Sequence, residues 1–178
     1  MPATPAAAAA PTDPDLREAL ARVHPQAFAW TVRCCRHDRA EAEDVLHDAY
    51  MKVLDGRARF EARSSFTTWL LGVVRRTAQE HRRRRWLGVI RLEEWWRRRE
   101  HIAPAATMEP ADDRLGALRA ALARLSQRQQ EVLHLVFYQS LTIREAADVL
   151  AMPVGTARTH YERGKERLRT LLAHSEEP

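Results

Sequence analysis

The sequence predicts an all-α protein built as two small helical domains joined by a linker. Apolar residues recur at steps of three and four, and strand-like alternation is absent. Only 6 glycines punctuate the 178 residues. Two capping signatures, Ser126 with Gln129 and Thr142 with Glu145, stand directly before apolar helical runs. The expected divisions are a disordered tail over 1–14, a first domain over 15–86, a linker over 87–113 and a second domain over 114–174.

Met1 to Pro14 is rich in Ala and Pro and has no basic residue ahead of its alanines, so it lacks the charged start of a secretory signal. Leu16, Ala19, Leu20, Val23, Ala27 and Trp30 form the stripe of a first helix. Val45, Ala49 and Val53, with Leu46, Tyr50 and Leu54, form a second, which Gly56 ends. Ser64 or Ser65 caps a third helix that carries Phe66, Trp69, Leu70, Val73, Val74 and Thr77 and runs into Arg82-Arg83-Arg84-Arg85. From Trp86 to Asp113 the pattern breaks, although Leu92, Trp95 and Trp96 share a face of a short helix in its first half. Helical spacing resumes at Leu115, Leu118, Leu122 and Leu125, then at Val132, Leu135 and Val136, then at Ala146, Ala147, Val149 and Leu150. Pro153 opens a last helix with Ala157, Tyr161 and Leu168 to Leu172.

Composition excludes several classes. With 45% apolar residues the chain is not wholly disordered. No apolar run approaches the ~18 residues of a membrane span. Cys34 and Cys35 are adjacent, which suits neither a mutual bridge nor a disulfide framework, and a cytoplasmic protein is expected. The net charge of +5 hides an order. Residues 1–56 carry 6 basic and 9 acidic groups, and residues 57–99 carry 13 and 4. Residues 100–152 carry 5 and 7, and residues 153–178 carry 5 and 4. The whole surplus lies in the second block. The 27 arginines against two lysines suit phosphates and bases, and equally reflect genomic base composition.

Thr142–Leu150 and the helix from Pro153, separated by Ala151-Met152, have helix-turn-helix spacing. Val154, Ala157, Tyr161, Gly164 and Leu168 face a core. Thr156, Thr159, His160, Arg163 and Arg167 lie on the other side, flanked by Arg158, where such groups read base edges or hold phosphates. An ordinary amphipathic helix with a solvated face has the same spacing. In the second helix, Glu41, Asp44, Asp48 and Asp55 lie near one face with His47, Met51 and Lys52 alongside. Such a face docks a basic partner helix, or simply solubilises the surface. Asp44, His47 and Asp48 have ligand-like offsets, but no further Cys or His cluster completes a metal site, and no catalytic residue or cofactor is expected.

The segments Leu125–Leu133, Leu141–Leu150 and Met152–Thr159 resemble region 4 of bacterial sigma factors, and the extracytoplasmic-function group of the sigma-70 family fits best. Asp44-Val45-Leu46-His47-Asp48-Ala49-Tyr50-Met51-Lys52-Val53 resembles the part of region 2 that docks on a polymerase β′ coiled coil, with His47, Asp48 and Tyr50 where Gln, Glu and Phe are usual. Arg57 to Leu70 resembles the part that opens the −10 element, with Ala62 where Gly is common. Arg76 stands where Asn is common, and Ala151 stands where a turn Gly is usual, which implies a looser turn.

The resemblance covers about residues 16–85 and 115–172 and implies a promoter-specificity subunit without catalysis of its own. Core polymerase (β′ and β subunits) would be bound through Asp44, His47, Asp48, Met51 and Lys52. At the −10 element, Phe60, Ser64, Ser65, Thr67 and Thr68 would shape a base pocket, joined by Arg63. Arg75, Arg76, Arg82 and Arg83 would hold phosphates. The −35 element would be held by Thr142, Gly155, Thr156, Arg158, Thr159, His160 and Arg163. An anti-sigma factor is the further partner the family implies. The rival readings are a helix-turn-helix regulator that does not replace a sigma factor, and a metal-dependent nuclease using Asp44 and Asp48.

Overall fold

The structure, a computed structural model, describes residues 13–96 and 113–173, with side chains over 15–86 and 116–173. All regular elements among the described residues are helical: α1 (Asp13–Cys34), α2 (Arg39–Leu54), α3 (Phe66–Trp96), α4 (Asp113–Ala123), α5 (Gln127–Leu133), α6 (Ile143–Leu150) and α7 (Val154–Ala173). The chain divides into two compact units, Met1–Arg85 and Trp86–Pro178.

In the first unit α1 and α2 pack together, and both close on α3. Leu20, Val23, Ala27 and Trp30 of α1 are buried, as are Val45, Leu46, Ala49 and Val53 of α2. They meet Leu70, Leu71, Val73, Val74 and Ala78 of α3. Trp30 is fully buried, and its indole N–H donates to the Leu71 carbonyl at 3.1 Å, which satisfies the one polar atom of a large apolar side chain. Pro25 removes one backbone donor from α1, but it lies on the exposed face, where water reaches the carbonyl it leaves free. α1 begins at Asp13, so it takes in the last two residues of the expected tail. Residues 1–12 lie outside the described ones.

Local signals set the helix ends. Asp38 caps α2, its carboxylate accepting from the Glu41 N–H at 3.0 Å. Gly56 follows α2 with φ +71°, the left-handed conformation glycine adopts freely. Of the two serines, Ser65 caps α3. Its hydroxyl oxygen accepts from the Thr68 N–H at 3.1 Å. α3 continues to Trp96 as one helix of 31 residues, so the short helix expected around Trp95 is its last turns rather than a separate element. Of the linker expected over 87–113, residues 87–96 belong to α3 and Asp113 opens α4, while 97–112 lie outside the described residues.

The second unit packs α4, α5 and α6 around α7. Its core is Ala121, Leu125, Val132, Leu133, Leu135, Ala146, Ala147, Val149, Leu150 and Ala157. Both expected capping boxes form, at Ser126/Gln129 and at Thr142/Glu145. Pro153 stands just before α7, its carbonyl accepting from the N–H groups of Thr156 and Ala157 at 3.0 Å each. It is therefore the cap residue rather than the first helical one. α5 ends in a π-turn over His134–Tyr138, closed by the Gln139 N–H on the His134 carbonyl at 3.1 Å.

Candidate polymerase and DNA interfaces

The exposed side of α2 carries Asp44, His47, Met51 and Leu54 at steps of three and four. Met51 and Leu54 are 38% and 37% exposed, so this stripe is partly apolar. The acidic stripe expected on α2 is split. Asp44 faces outward, while Asp48 accepts a 2.6 Å hydrogen bond from His81 Nε2 and Glu41 pairs with Arg85 at 2.9 Å. Asp55 pairs with Arg57 at 2.8 Å. Lys52 donates to Glu80 at 2.6 Å and to Thr77 at 3.1 Å. Of the five expected docking residues, then, Asp44, His47 and Met51 face outward, while Asp48 and Lys52 are engaged by α3. The His81 hydrogen bond lowers the Asp48 carboxyl below its usual value, and the Lys52 bond lowers that of Glu80. Tyr50 keeps its aromatic ring in the α1/α2 packing, and its hydroxyl meets His24 Nδ1 at 3.1 Å. Burial pushes that phenol up to about 12.

Four consecutive arginines on a helix point about 100° apart and cannot form one patch. Arg85 turns to Glu41, and Arg82 lies half-buried near the Cys35 thiol. Arg83 and Arg84 are exposed, as is Arg76; Arg84 lies close enough to Asp48 and Glu80 to help lower both carboxyls. Arg75 is 5% exposed, and its two terminal nitrogens reach the Gln79 amide at 3.0 and 3.1 Å once that amide is oriented with its oxygen toward them. A phosphate contact by Arg75 is not available from this position. Cys35 is buried and its thiol is pushed up to about 11 by that burial, which keeps it protonated and unreactive.

The loop between α2 and α3 is organised by three aromatic rings. Phe60, Phe66 and Trp69 lie with centroids 5.3 to 5.5 Å apart. Beside them opens a cleft of about 530 Å³ lined by Leu16, Val53, Ala58, Phe60 and Trp69 among others. On the other side of Trp69 a polar groove of about 420 Å³ is lined by Arg57, Arg59, Arg76 and Arg84 with the Lys52–Glu80 pair. The expected base pocket therefore differs in its walls. Phe60 lines the apolar cleft, but Ser64, Ser65, Thr67 and Thr68 do not. Ser65 and Thr68 are joined by a 2.8 Å hydroxyl contact in the α3 cap, and Thr68 is 1% exposed. Ser64 donates to the Ser65 carbonyl at 3.3 Å, Thr67 is half-buried, and Arg63 is exposed and pairs with Glu61 at 2.9 Å. Ala62 has φ +54°, which explains why glycine is common there.

In the second unit the α6–α7 turn is tight despite its alanine. Ala151 adopts φ +50°, ψ +52°, and its N–H and that of Met152 return to the last turn of α6. The looser turn expected from the missing glycine does not occur; the alanine takes the left-handed conformation at a strain of about 1 kcal/mol. Beyond the turn, Gly155, Thr156, Arg158, Thr159 and Arg163 are exposed along α7, and His160 is half-exposed. The Thr159 hydroxyl donates to the Gly155 carbonyl at 3.0 Å, leaving its methyl and oxygen outward. A Cβ on Gly155 would meet nothing within 4 Å, so nothing in this unit requires glycine there. Thr142 is exposed, but its N–H and hydroxyl are both bonded to Glu145 in the cap. One feature was missed in the sequence. The π-turn thrusts Phe137 and Tyr138 outward at 64% and 69% exposure, with Phe137 stacked on Tyr161 at 5.8 Å. Helical periodicity places only the neighbouring Val132, Leu135 and Val136 on a face, because a π-turn shifts register in a way that periodicity does not reveal.

Both units match known families. Residues 20–87 match the family described as Sigma-70 region 2, and residues 115–168 match Sigma-70, region 4. An ECF RNA polymerase sigma factor of Bacillus subtilis (strain 168), SigX, is 30% identical over 145 residues, 78% of this chain and 73% of that one. The chain belongs to the extracytoplasmic-function group of the sigma-70 family. A second such sigma factor, SigC of Mycobacterium tuberculosis (strain CDC 1551 / Oshkosh), is 28% identical over 157 residues, 85% of this chain and 79% of that one. Among solved structures, the sigma factor RpoE in complex with the anti-sigma factor NepR from Bartonella quintana shares the fold at a TM-score of 0.69 and 24% identity, covering 89% of this chain and 97% of that one. As an alternative sigma factor, the chain directs promoter-specific transcription initiation with core RNA polymerase. Among its described residues no helix is long and apolar enough to cross a membrane.

Proposed function

We propose that this sigma factor docks on the polymerase β′ subunit through Asp44, His47, Met51 and Leu54 of α2, and that the cleft beside Phe60 and Trp69 takes an unstacked −10 base. Arg76 and Arg83, with Arg84, then hold the backbone of the opened strand, where a cationic groove next to an aromatic platform suits single-stranded DNA. Residues 15–86 would form the polymerase and −10 domain, and 114–174 the −35 domain. Thr156, Arg158, Thr159, His160 and Arg163 enter the major groove, and Gly155 lets a phosphate approach the first turn of α7. The exposed Phe137–Tyr138 pair gives the second domain an apolar surface for a protein partner such as the β subunit. An anti-sigma factor is a further partner; the bound NepR in the Bartonella quintana complex supports it. The chain supplies recognition and no catalysis, and acts in the cytoplasm.

The observation that carries this reading is the exposure of Thr156, Arg158, Thr159 and Arg163 on α7, directly after a tight turn between two capped helices. Arg163→Ala tests it. Affinity for DNA bearing the −35 element should fall by about 1–3 kcal/mol, with relaxed preference at one base pair. A loss equal on all sequences, with a smaller salt slope, would make Arg163 a phosphate contact instead.

A further inference from the structure

Three cross-helix pairs join α2 to α3 in antiparallel order: Glu41 to Arg85, Asp48 to His81, and Lys52 to Glu80 and Thr77. Their polarity is not uniform. At the first two rungs α2 supplies the acid, and at the third it supplies the base. This asymmetry discriminates between registers. If α3 slid along α2 by one helical turn in either direction, four residues would separate the new partner from Glu80, and Lys52 would face Arg84 or Arg76. Either slip opposes like charges, while the observed register alone pairs every member. Half-exposed pairs of this kind contribute little net stability, but a polar pair with reversed sign selects register well.

We propose that Asp48, Lys52 and His81 are positioning residues. Together they lock α2 on α3 and so hold the outward stripe Asp44/His47/Met51 at a fixed offset from the cationic side of α3, which carries Arg76, Arg83 and Arg84. Polymerase docking on one helix then presents the strand-holding arginines of the other in register with the opened DNA. The inference rests on the docking reading of α2 given above. It gives Asp48 and Lys52 an intramolecular task, Asp48 keeping a side chain 43% exposed, and gives His81 a role that no motif assigns.

The test compares core-polymerase affinity and promoter opening, the latter read by permanganate reactivity of unpaired thymines, in the full-length protein. Thermal unfolding checks that each variant is folded at the assay temperature. His81→Ala and Lys52→Met should each lower opening at saturating polymerase by roughly threefold to tenfold, the size of a typical pairwise coupling. His81→Gln, whose amide still donates to Asp48, should stay near wild type. The exchange Asp48→His with His81→Asp should recover opening to within about twofold, as expected when two residues act on each other. If Asp48 touched polymerase directly, the exchange would stay defective and His81→Ala would be silent, which overturns the proposal. Unchanged opening in all single variants overturns it too. His47→Ala and Met51→Ala report separately on the docking reading: if both leave polymerase affinity unchanged, that reading falls, while the exchange experiment still scores the ladder on opening.

Discussion

Among the described residues, Ala62 and Ala151 are the two alanines with positive φ, at +54° and +50°, and the resemblance to sigma regions 2 and 4 leads one to expect glycine at both. The sequence shows the departures but not how they resolve, because an alanine either loosens the turn or takes the strain. Here the backbone keeps the turn. Ala151→Gly should therefore raise stability by about 0.5–1 kcal/mol in urea unfolding, the relief of left-handed strain less the added chain entropy of glycine. Ala62→Gly should do the same for the first unit. A loss of stability in either variant would mean that the left-handed conformation is not strained there. The caps at Ser126 and Thr142 are legible directly, each preceding an apolar run with its Gln or Glu partner, whereas the sequence leaves Ser64 and Ser65 open and does not single out Asp38. Ser65→Ala should destabilise α3 by about 1 kcal/mol, measured the same way.

At the scale of the helices, apolar periodicity identifies most of the buried faces of α1, α2 and α3, because one buried stripe per helix is what packing requires, but it places Leu54, which is exposed, on the stripe of α2. The polar faces were less legible. Charge spacing placed Glu41, Asp44 and Asp48 together, yet α3 claims two of them, and nothing in α2 alone reveals which face a neighbour will cover. The same holds for the arginine run, whose members separate only once α3 is seated.

The ladder has a pH consequence. Asp48 and Glu80 have folded-state values lowered from 3.8 and 4.5 by their hydrogen bonds, so their contribution to stability is full above those values. It is lost as pH falls through the lowered ones. Asp48→Asn should therefore flatten the fall in melting temperature below about pH 4, and an unchanged acid limb would remove Asp48 from that linkage.

The α5–α7 contact depends on Gly164, where an added Cβ would meet Leu133 Cδ1 at 3.1 Å and Gln129 Cβ at 3.3 Å. Gln129 is held in its capping box and cannot retreat freely. Gly164→Ala should thus lower the melting temperature of the second unit despite its better helix propensity, through overpacking. A rise would show that α7 shifts outward without penalty.

For the molecule as a whole, the informative quantity is the order of charge along the chain rather than its net value. An acidic first block precedes a strongly basic second one, and the last block is nearly neutral. That order fits the proposed roles of a docking helix, then a strand-holding surface, then a recognition helix relying on a few specific groups. The all-α class, the two units and the family were all legible in the sequence. The walls of the cleft beside Phe60 are not, because Leu16, Val53 and Trp69 come from three helices that only tertiary packing brings to Phe60. The most direct test of the central claim is transcription in vitro by sigma-free core polymerase with this protein, on a template pool carrying randomised −35 and −10 elements, with transcript starts sequenced. Starts are expected at a fixed distance downstream of one enriched pair of motifs, above the background of core enzyme alone. No enriched start, with the protein still binding DNA unaided, would contradict it.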